Sequence, residues 1–326
     1  MAVVDLGMPY LGKNATGIHI SNSEIGVFKD CKRKWFLQYY LGLRLKQITV
    51  TGPLPLGTRV HNSLEAYYKE GKDAVATYLE LLETDRALFN ASDLAVFPDK
   101  EDAFNKEAEL GRIMIEGYVE WLEETNADID FEVLSVEAQV SAEVLDGRVI
   151  LQGKLDMKVK NKIDGSTTVW DHKTAQTFTT YHQTAHMSEQ LMLYVLLEKM
   201  DPTTVAPVDG GVYNLLKKVK RSGTAKPPFY ERINVRFNDT TLKNFWTRIH
   251  GELRDMIRVR DELDAGADHR LVAYPSPSRD CTWKCPFFSA CPMFDDGSNV
   301  EGWLDAHSEV SNPYARYDNE DEGTTL

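Results

Sequence analysis

No apolar run in this 326-residue sequence approaches the ~18 residues that cross a bilayer, so a membrane-embedded chain is not expected. The opening MAVVDLGMPYLGKNATG has neither a basic start nor an apolar core, so the chain reads as cytoplasmic (host cytoplasm if the gene is viral) rather than secreted. A phosphate loop of the form G-x4-G-K-[ST] is missing, which excludes a helicase or ATPase motor within the chain. Basic residues are in the minority, 37 Lys and Arg against 50 Asp and Glu, and a net charge of −13 argues against a protein that simply coats nucleic acid. Cysteines number only four, and without a secretory signal a disulfide framework is not expected. What remains is 42% hydrophobic and 27% charged, the make-up of one large or two small globular domains.

The acidity is uneven. Much of it lies in 100–125 and from Asp318 onward, while Lys32, Arg33 and Lys34, and then Lys217, Lys218, Lys220 and Arg221, form basic clusters. Such clusters can line a local basic groove on an acidic molecule, or be solvated surface lysines.

Ser21-Asn-Ser-Glu24 is a capping-box signature, and Ile25, Phe28, Trp35 and Phe36 follow at near-helical spacing, predicting a helix to about Tyr40 that carries Cys31. Pro55-Leu-Gly57 opens a second helix with His61 and Glu65 one turn apart; 73–86 and 102–124 are also helical in period. From Phe131 the character changes. Glu132–Val144, Val149–Val159 and Thr167–Thr174 alternate β-branched and polar residues around Asp146-Gly147 and Asp164-Gly165, predicting an antiparallel meander. A helix from about Met187 to Met200, strands at Gly210–Lys218 and Phe229–Phe237, and a long helix at 240–264 complete the pattern. The expected fold is α/β, a mixed central sheet with helices packed around it.

All four cysteines enter one arrangement, Cys31 and then Cys281-x3-Cys285-x5-Cys291. Four thiolates suit tetrahedral zinc or a [4Fe–4S] cluster. Structural zinc usually presents pairs of close cysteines, so one distant ligand and a C-terminal triplet favours iron–sulfur and leaves zinc open.

A second constellation is of hard oxygen and nitrogen donors. Val169-Trp170-Asp171-His172-Lys173 places residues 171 and 173 on one face of a strand, where a carboxylate can hold Mg²⁺ or Mn²⁺ and a lysine can position water and stabilise developing negative charge. Gly153-Lys-Leu-Asp156 puts another carboxylate 15 residues earlier, a hairpin's distance. Gln190 and Tyr194 stand one helical turn apart on the helix that follows. Taken singly, each of these fits helix packing or a solvated strand face.

In order, Gly57-x3-His61-x3-Glu65, Gly153-x2-Asp156, Asp171-x-Lys173 and Gln190-x3-Tyr194 resemble the RecB-family branch of the PD-(D/E)xK nucleases. The flanking cysteines, with Ser21-Asn-Ser-Glu and Cys31-Lys-Arg-Lys-Trp35, are similar to those of its iron–sulfur members, the AddB-type nucleases and CRISPR-adaptation exonucleases. The similarity covers about 19 to 295. It implies a restriction-endonuclease-like core with a helical N-terminal insertion and a C-terminal iron–sulfur region. It implies His61, Asp156, Asp171 and the His172 backbone carbonyl as ligands of Mg²⁺ or Mn²⁺, with Asp156, Asp171 and Lys173 catalytic. Gln190 and Tyr194 would help place the DNA strand or the lysine, and Cys31, Cys281, Cys285 and Cys291 would hold [4Fe–4S]. Glu65 and Glu137 are expected to be structural. The family usually spaces its first two C-terminal cysteines by two residues, whereas Cys281 and Cys285 enclose three.

The expected layout is an N-terminal helix with the first cluster cysteine (19–45), a helical region with the motif histidine (52–130), the nuclease core (131–264), the cysteine region (265–295) and an acidic, flexible tail (296–326). The expected activity is metal-dependent hydrolysis of DNA, foremost as an exonuclease on single strands or free ends, with endonuclease action secondary. Recombination, helicase or CRISPR-adaptation proteins are expected partners, and an oligomer is left open. Two other classes compete: a non-catalytic iron–sulfur DNA-binding scaffold, and an iron–sulfur redox protein whose acidic residues are incidental.

Overall fold

The computed structural model describes residues 17–46, 50–201, 204 and 208–317. Its elements are β1 (Ile18–Ser21), α1 (Asn22–Asp30), α2 (Lys32–Trp35), β2 (Leu43–Leu45), α3 (Pro53–Glu70), α4 (Ala74–Asn90), α5 (Pro98–Thr125), β3 (Phe131–Val136), β4 (Gln139–Val144), β5 (Val149–Lys154), β6 (Met157–Asn161) and β7 (Thr167–Ala175). They continue with α6 (Thr179–Thr184), α7 (Glu189–Met200), β8 (Val208–Lys217), β9 (Tyr230–Arg236), α8 (Asp239–Asp264), α9 (His269–Val272), α10 (Cys281–Lys284), α11 (Val300–His307) and β10 (Ser308–Val310). The chain divides into two compact units: the first takes 50–142, 153–201, 204 and 208–243, the second 17–46, 143–152 and 244–317.

The first unit is built on a five-stranded mixed sheet of order β3-β6-β7-β8-β9. All its pairs are antiparallel except β7 with β8. A parallel pair needs a crossover, and α6 and α7 supply it. Helix α7 is apolar all round, buried from Leu191 to Glu198, as befits a helix enclosed by protein. Helices α3, α4 and α5 share one hydrophobic core with the sheet, where Val60, Tyr78, Ile115 and Tyr118 pack with Leu216 and Tyr230. The helical region 52–130 and the sheet are therefore a single folding core.

The meander expected from 132 to 174 divides. Glu137 adopts φ +57° between β3 and β4, and the facing strand bends at Leu155 and Asp156 between β5 and β6. These bends are joined: Glu137 N donates to Asp156 O at 3.1 Å and Leu155 N to Ala138 O at 2.9 Å. The two strands thus kink together, and past the kink they continue as a different sheet.

That other sheet, of order β1-β5-β4, gains a parallel strand in which Ile18 to Ser21 pair with Val149 to Gln152. Here the helix expected to carry Cys31 is interrupted by it. Ser21 caps α1, accepting from Glu24 N, but Cys31 is extended (φ −158°, ψ 114°) and α2 starts afresh, followed by a π-helical turn at Phe36–Tyr40. Cys31 therefore stands at a break, not on a helix face. The tail expected to lack structure also needs correction. Asn299 caps α11 by accepting from Gly302 N, and β10 pairs antiparallel with β2. Val300, Trp303 and Leu304 lie at i, i+3 and i+4, the apolar spacing that supports a helix there. Residues 318–326 lie outside the described residues.

Candidate active site and a cysteine-lined cavity

Strand β7 is central in its sheet, and alternation sends its side chains to two environments. Trp170 goes to the apolar side, packed with Met157, Val159 and Val212. Asp171, only 1% exposed, and Lys173 go to the other. Lys173 Nζ donates to Asp171 Oδ1 at 2.9 Å and lies 2.7 Å from Oδ2. From α7, Gln190 Nε2 donates both to Asp171 Oδ1 and to Tyr194 Oη, each at 3.0 Å. Asp171 Oδ2 is buried and, despite the nearby ammonium, lacks any hydrogen bond of proper geometry.

Asp156 reaches the same place because β6 peels away. The last β6–β7 pair is Met157 with Trp170, and beyond it the Asp156 carboxylate replaces the missing strand: Oδ2 accepts the His172 backbone N–H at 2.6 Å. Helix α3 brings His61 Nδ1 to 3.4 Å from that same oxygen. Gly153, at the start of this motif, lies against the Tyr194 ring; a Cβ there would meet Tyr194 Cε1 at 2.6 Å. The glycine lets the strand approach the helix that carries Gln190.

Two carboxylates meet one ammonium in this buried spot. Burial, and then the charge of Asp171, push the Asp156 carboxyl well above the usual range. The Lys173 ammonium is held charged: burial works against it, but Asp171 and Asp156 outweigh that. Burial pushes His61 toward neutral imidazole, the form that can ligate a metal.

Sequence reasoning missed the support behind β7. His172 is 3% exposed, and burial, with His61, Arg232 and Lys173 nearby, pushes its pKa well below the ordinary value. Asn214, fully buried on β8 and paired with His172 in register, donates from Nδ2 to Tyr118 Oη and to His172 Nδ1, both at 2.9 Å. Arg232 donates to Asp128 at 2.6 Å and stacks 4.6 Å from the Trp170 ring centroid. The available signal was Asn214 itself, an amide within the apolar run Val212-Tyr213-Asn214-Leu215-Leu216. Glu137 pairs with Lys154 at 3.1 Å and Glu65 with Lys69 at 3.4 Å.

In the second unit, Cys31, Cys281, Cys285 and Cys291 all line one cavity of about 290 Å³. Three of the sulfurs face nearby N–H donors. Ser276 N lies 3.5 Å from Cys31 Sγ, Ser278 N 3.3 Å from Cys281 Sγ and Arg33 Nη1 3.7 Å from Cys291 Sγ. Cys285 accepts from the Phe287 backbone, though burial, the larger influence, raises its thiol. Arg33 is itself buried and held by Asp295 at 2.8 and 3.0 Å. Among the described residues, no three His, Cys, Asp or Glu side chains already converge on one point at ligand distance, in either unit.

Comparison with known proteins supplies a family. A sequence model of the PD-(D/E)XK nuclease superfamily matches residues 19–292. No curated relative matches the chain in sequence. Among solved structures that do match is the crystal structure of a candidate exonuclease from Eubacterium rectale, 12% identical, with 88% of this chain and 94% of that one covered at a TM-score of 0.45.

Proposed function

The chain belongs to the PD-(D/E)XK nuclease superfamily, and from that premise we propose that its first unit hydrolyses DNA phosphodiester bonds with Mg²⁺ or Mn²⁺, acting foremost as an exonuclease on single strands. The observation that carries this reading is the cluster of buried Asp171 with half-buried Asp156 and Lys173, two carboxylates gathered around one ammonium. The hard oxygens of the two carboxylates suit these ions, and a divalent cation would favour the charged form of Asp156 that burial and Asp171 disfavour. His61, Asp156, Asp171 and the His172 carbonyl would hold the ion. When bound, it would lower the pKa of a coordinated water and offset charge on the phosphate.

The chain's own groups do the rest. Lys173 contributes a fixed positive charge and N–H donors for a phosphoryl oxygen. Gln190 holds Asp171 in place while tying it to Tyr194, and the Asn214–His172 contact fixes the strand from behind. Water adds to phosphorus and gives up a proton to solvent, the P–O bond to the leaving nucleotide breaks, and the departing oxygen takes a proton from solvent. End-labelled single-stranded DNA with Mn²⁺ tests this, beside Asp171→Ala. Time-dependent shortening that the variant lacks is expected; intact DNA with both proteins would overturn it.

For the second unit, the reading is a [4Fe–4S] cluster on the four cysteines. Its support is that all four cysteines line one cavity, and that N–H donors facing sulfur stabilise thiolate ligands. Iron, sulfide and zinc analysis of anaerobically purified protein decides between them. Four iron and four sulfide per chain is the expected result; one zinc and no sulfide would replace it.

A further inference from the structure

We propose that a groove of about 590 Å³ in the first unit, lined by Lys106, Gln176, Lys218 and Lys220, carries the phosphodiester backbone of the DNA strand beyond the bond being cut. This deepens the nuclease reading and rests on it.

The elements that build the candidate site also build the groove. Gln176 follows Lys173 by three residues, a run of roughly 10 Å in extended chain, or a reach of one to a few nucleotides. Leu56, another lining residue, precedes His61 on α3 by five residues, and between them a Cβ added at Gly57 would stand 3.9 Å from the Thr174 hydroxyl. Lys218 is fixed beside the end of β7 by its backbone, whose N–H donates to Ala175 O at 2.7 Å. A strand whose phosphate sits at Lys173 and which follows β7 toward its C-terminal end therefore enters the groove.

The charges are those a phosphate chain needs. Lys218 is half-buried, and among the described residues its ammonium has no ion-pair or hydrogen-bond partner. Lys106 pairs with Asp102 and Lys220 with Glu109, but these pairs are exposed and contribute little, so a phosphate replaces the carboxylate at small cost. One lining carboxylate could repel a strand, that of Glu107. It is turned to Arg59 at 2.7 Å, a guanidinium it shares with Asp85, and accepts the Gly52 N–H at 2.5 Å. The three lysines suit phosphate oxygens, a contact that carries no sequence information.

The test uses the full chain carrying Lys173→Gln, so that DNA is held without being cut, with Mg²⁺ and a fluorescent single-stranded oligonucleotide. A triple variant, Lys106→Gln with Lys218→Gln and Lys220→Gln, is compared with a control triple, Lys72→Gln with Lys100→Gln and Lys162→Gln, which removes equal charge elsewhere. Single-strand binding loses about 0.7 of salt slope per phosphate contact. The groove triple should therefore reduce the slope of log Kd against log salt by roughly 2 and weaken binding at least tenfold, while the control triple should leave the slope alone. Equal slopes for both triples, with the native chain still cutting DNA, would overturn the groove and spare the nuclease reading. No DNA binding by the parent and no cutting by the native chain would overturn both. Thermal melting checks that each variant folds, and Lys218→Glu alone, expected to weaken binding more than Lys218→Gln, probes the same contact through one side chain.

Discussion

The two candidate sites are held in opposite ways. In the first unit Asp171 and His61 sit on long elements, a nine-residue central strand and a helix of 18 residues. Asp156, at the bend between β5 and β6, is tied to that strand by the His172 N–H; Gln190, from a helix of 12 residues, and Lys173 brace Asp171. In the second, Cys281 opens a helix of four residues, Cys31 occupies a break between helices, and Cys285 and Cys291 lie at the edges of short turns. A hard-oxygen site can be assembled by the protein's own hydrogen bonds and receive its ion afterwards. A sulfur site on such short elements depends on what it binds, because a ligand that binds only the folded form stabilises that form.

The sharpest way to break this contrast is chemistry in one unit against folding in the other. Lys173→Ala should lower kcat by about 10³-fold while the melting profile keeps its shape. Cys281→Ser should do the reverse, abolishing visible cluster absorbance and lowering the melting temperature by roughly 5 °C or more. If Cys281→Ser melted like the native chain, the second unit would be self-sufficient and the contrast would fail.

The two motif glycines sharpen it further. Gly153→Ala should cost about tenfold in activity, since its methyl displaces the Tyr194 ring that accepts from Gln190. Gly57→Ala should change activity less than about twofold, because its Cβ finds only Thr174 Oγ1 at an ordinary 3.9 Å. Steady-state rates on one labelled substrate rank the pair, and equal losses would mean that the glycine at 57 has another role.

The smallest effect is on acid stability. His172 and His61 have folded pKa values below the ordinary 6.5, so under acid the unfolded chain takes up protons that the folded chain refuses. Stability from these groups is complete above about pH 6.5 and falls as pH drops below it. Asp156, pushed upward, acts in the opposite sense, gaining on protonation. The difference between native and His172→Gln in denaturant midpoints from pH 7 to 5 isolates the histidine, and the variant should lose less stability on acidification.

The residues meeting at β7 were legible because each left a local mark. Asp171 and Lys173 share a strand face by alternation, Gln190 and Tyr194 a helix face by periodicity, and the α/β class followed from the switch between those periods. The brace behind them was not, because Asn214, Tyr118 and Arg232 come from β8, α5 and β9 and meet only through strand register and helix packing. Cys31 misled for a related reason. Helical spacing continues through 22–40, and only tertiary contacts, such as Arg33 N to Tyr274 O at 3.2 Å, accompany the break there.

What the sequence determines by itself is therefore the set of chemical groups and the order in which they arrive: carboxylates with a lysine at one place, four thiols at another. The tertiary structure decides the rest. It kinks two paired strands together at Glu137 and Asp156, and so turns a carboxylate that a regular hairpin would have left in the ladder toward the His172 N–H. It divides the chain so that the oxygen site and the sulfur cavity each lie within their own unit. The physical reason is range: alternation and periodicity act over a few residues, whereas the kink, the brace and the cavity depend on packing between residues tens to hundreds of positions apart.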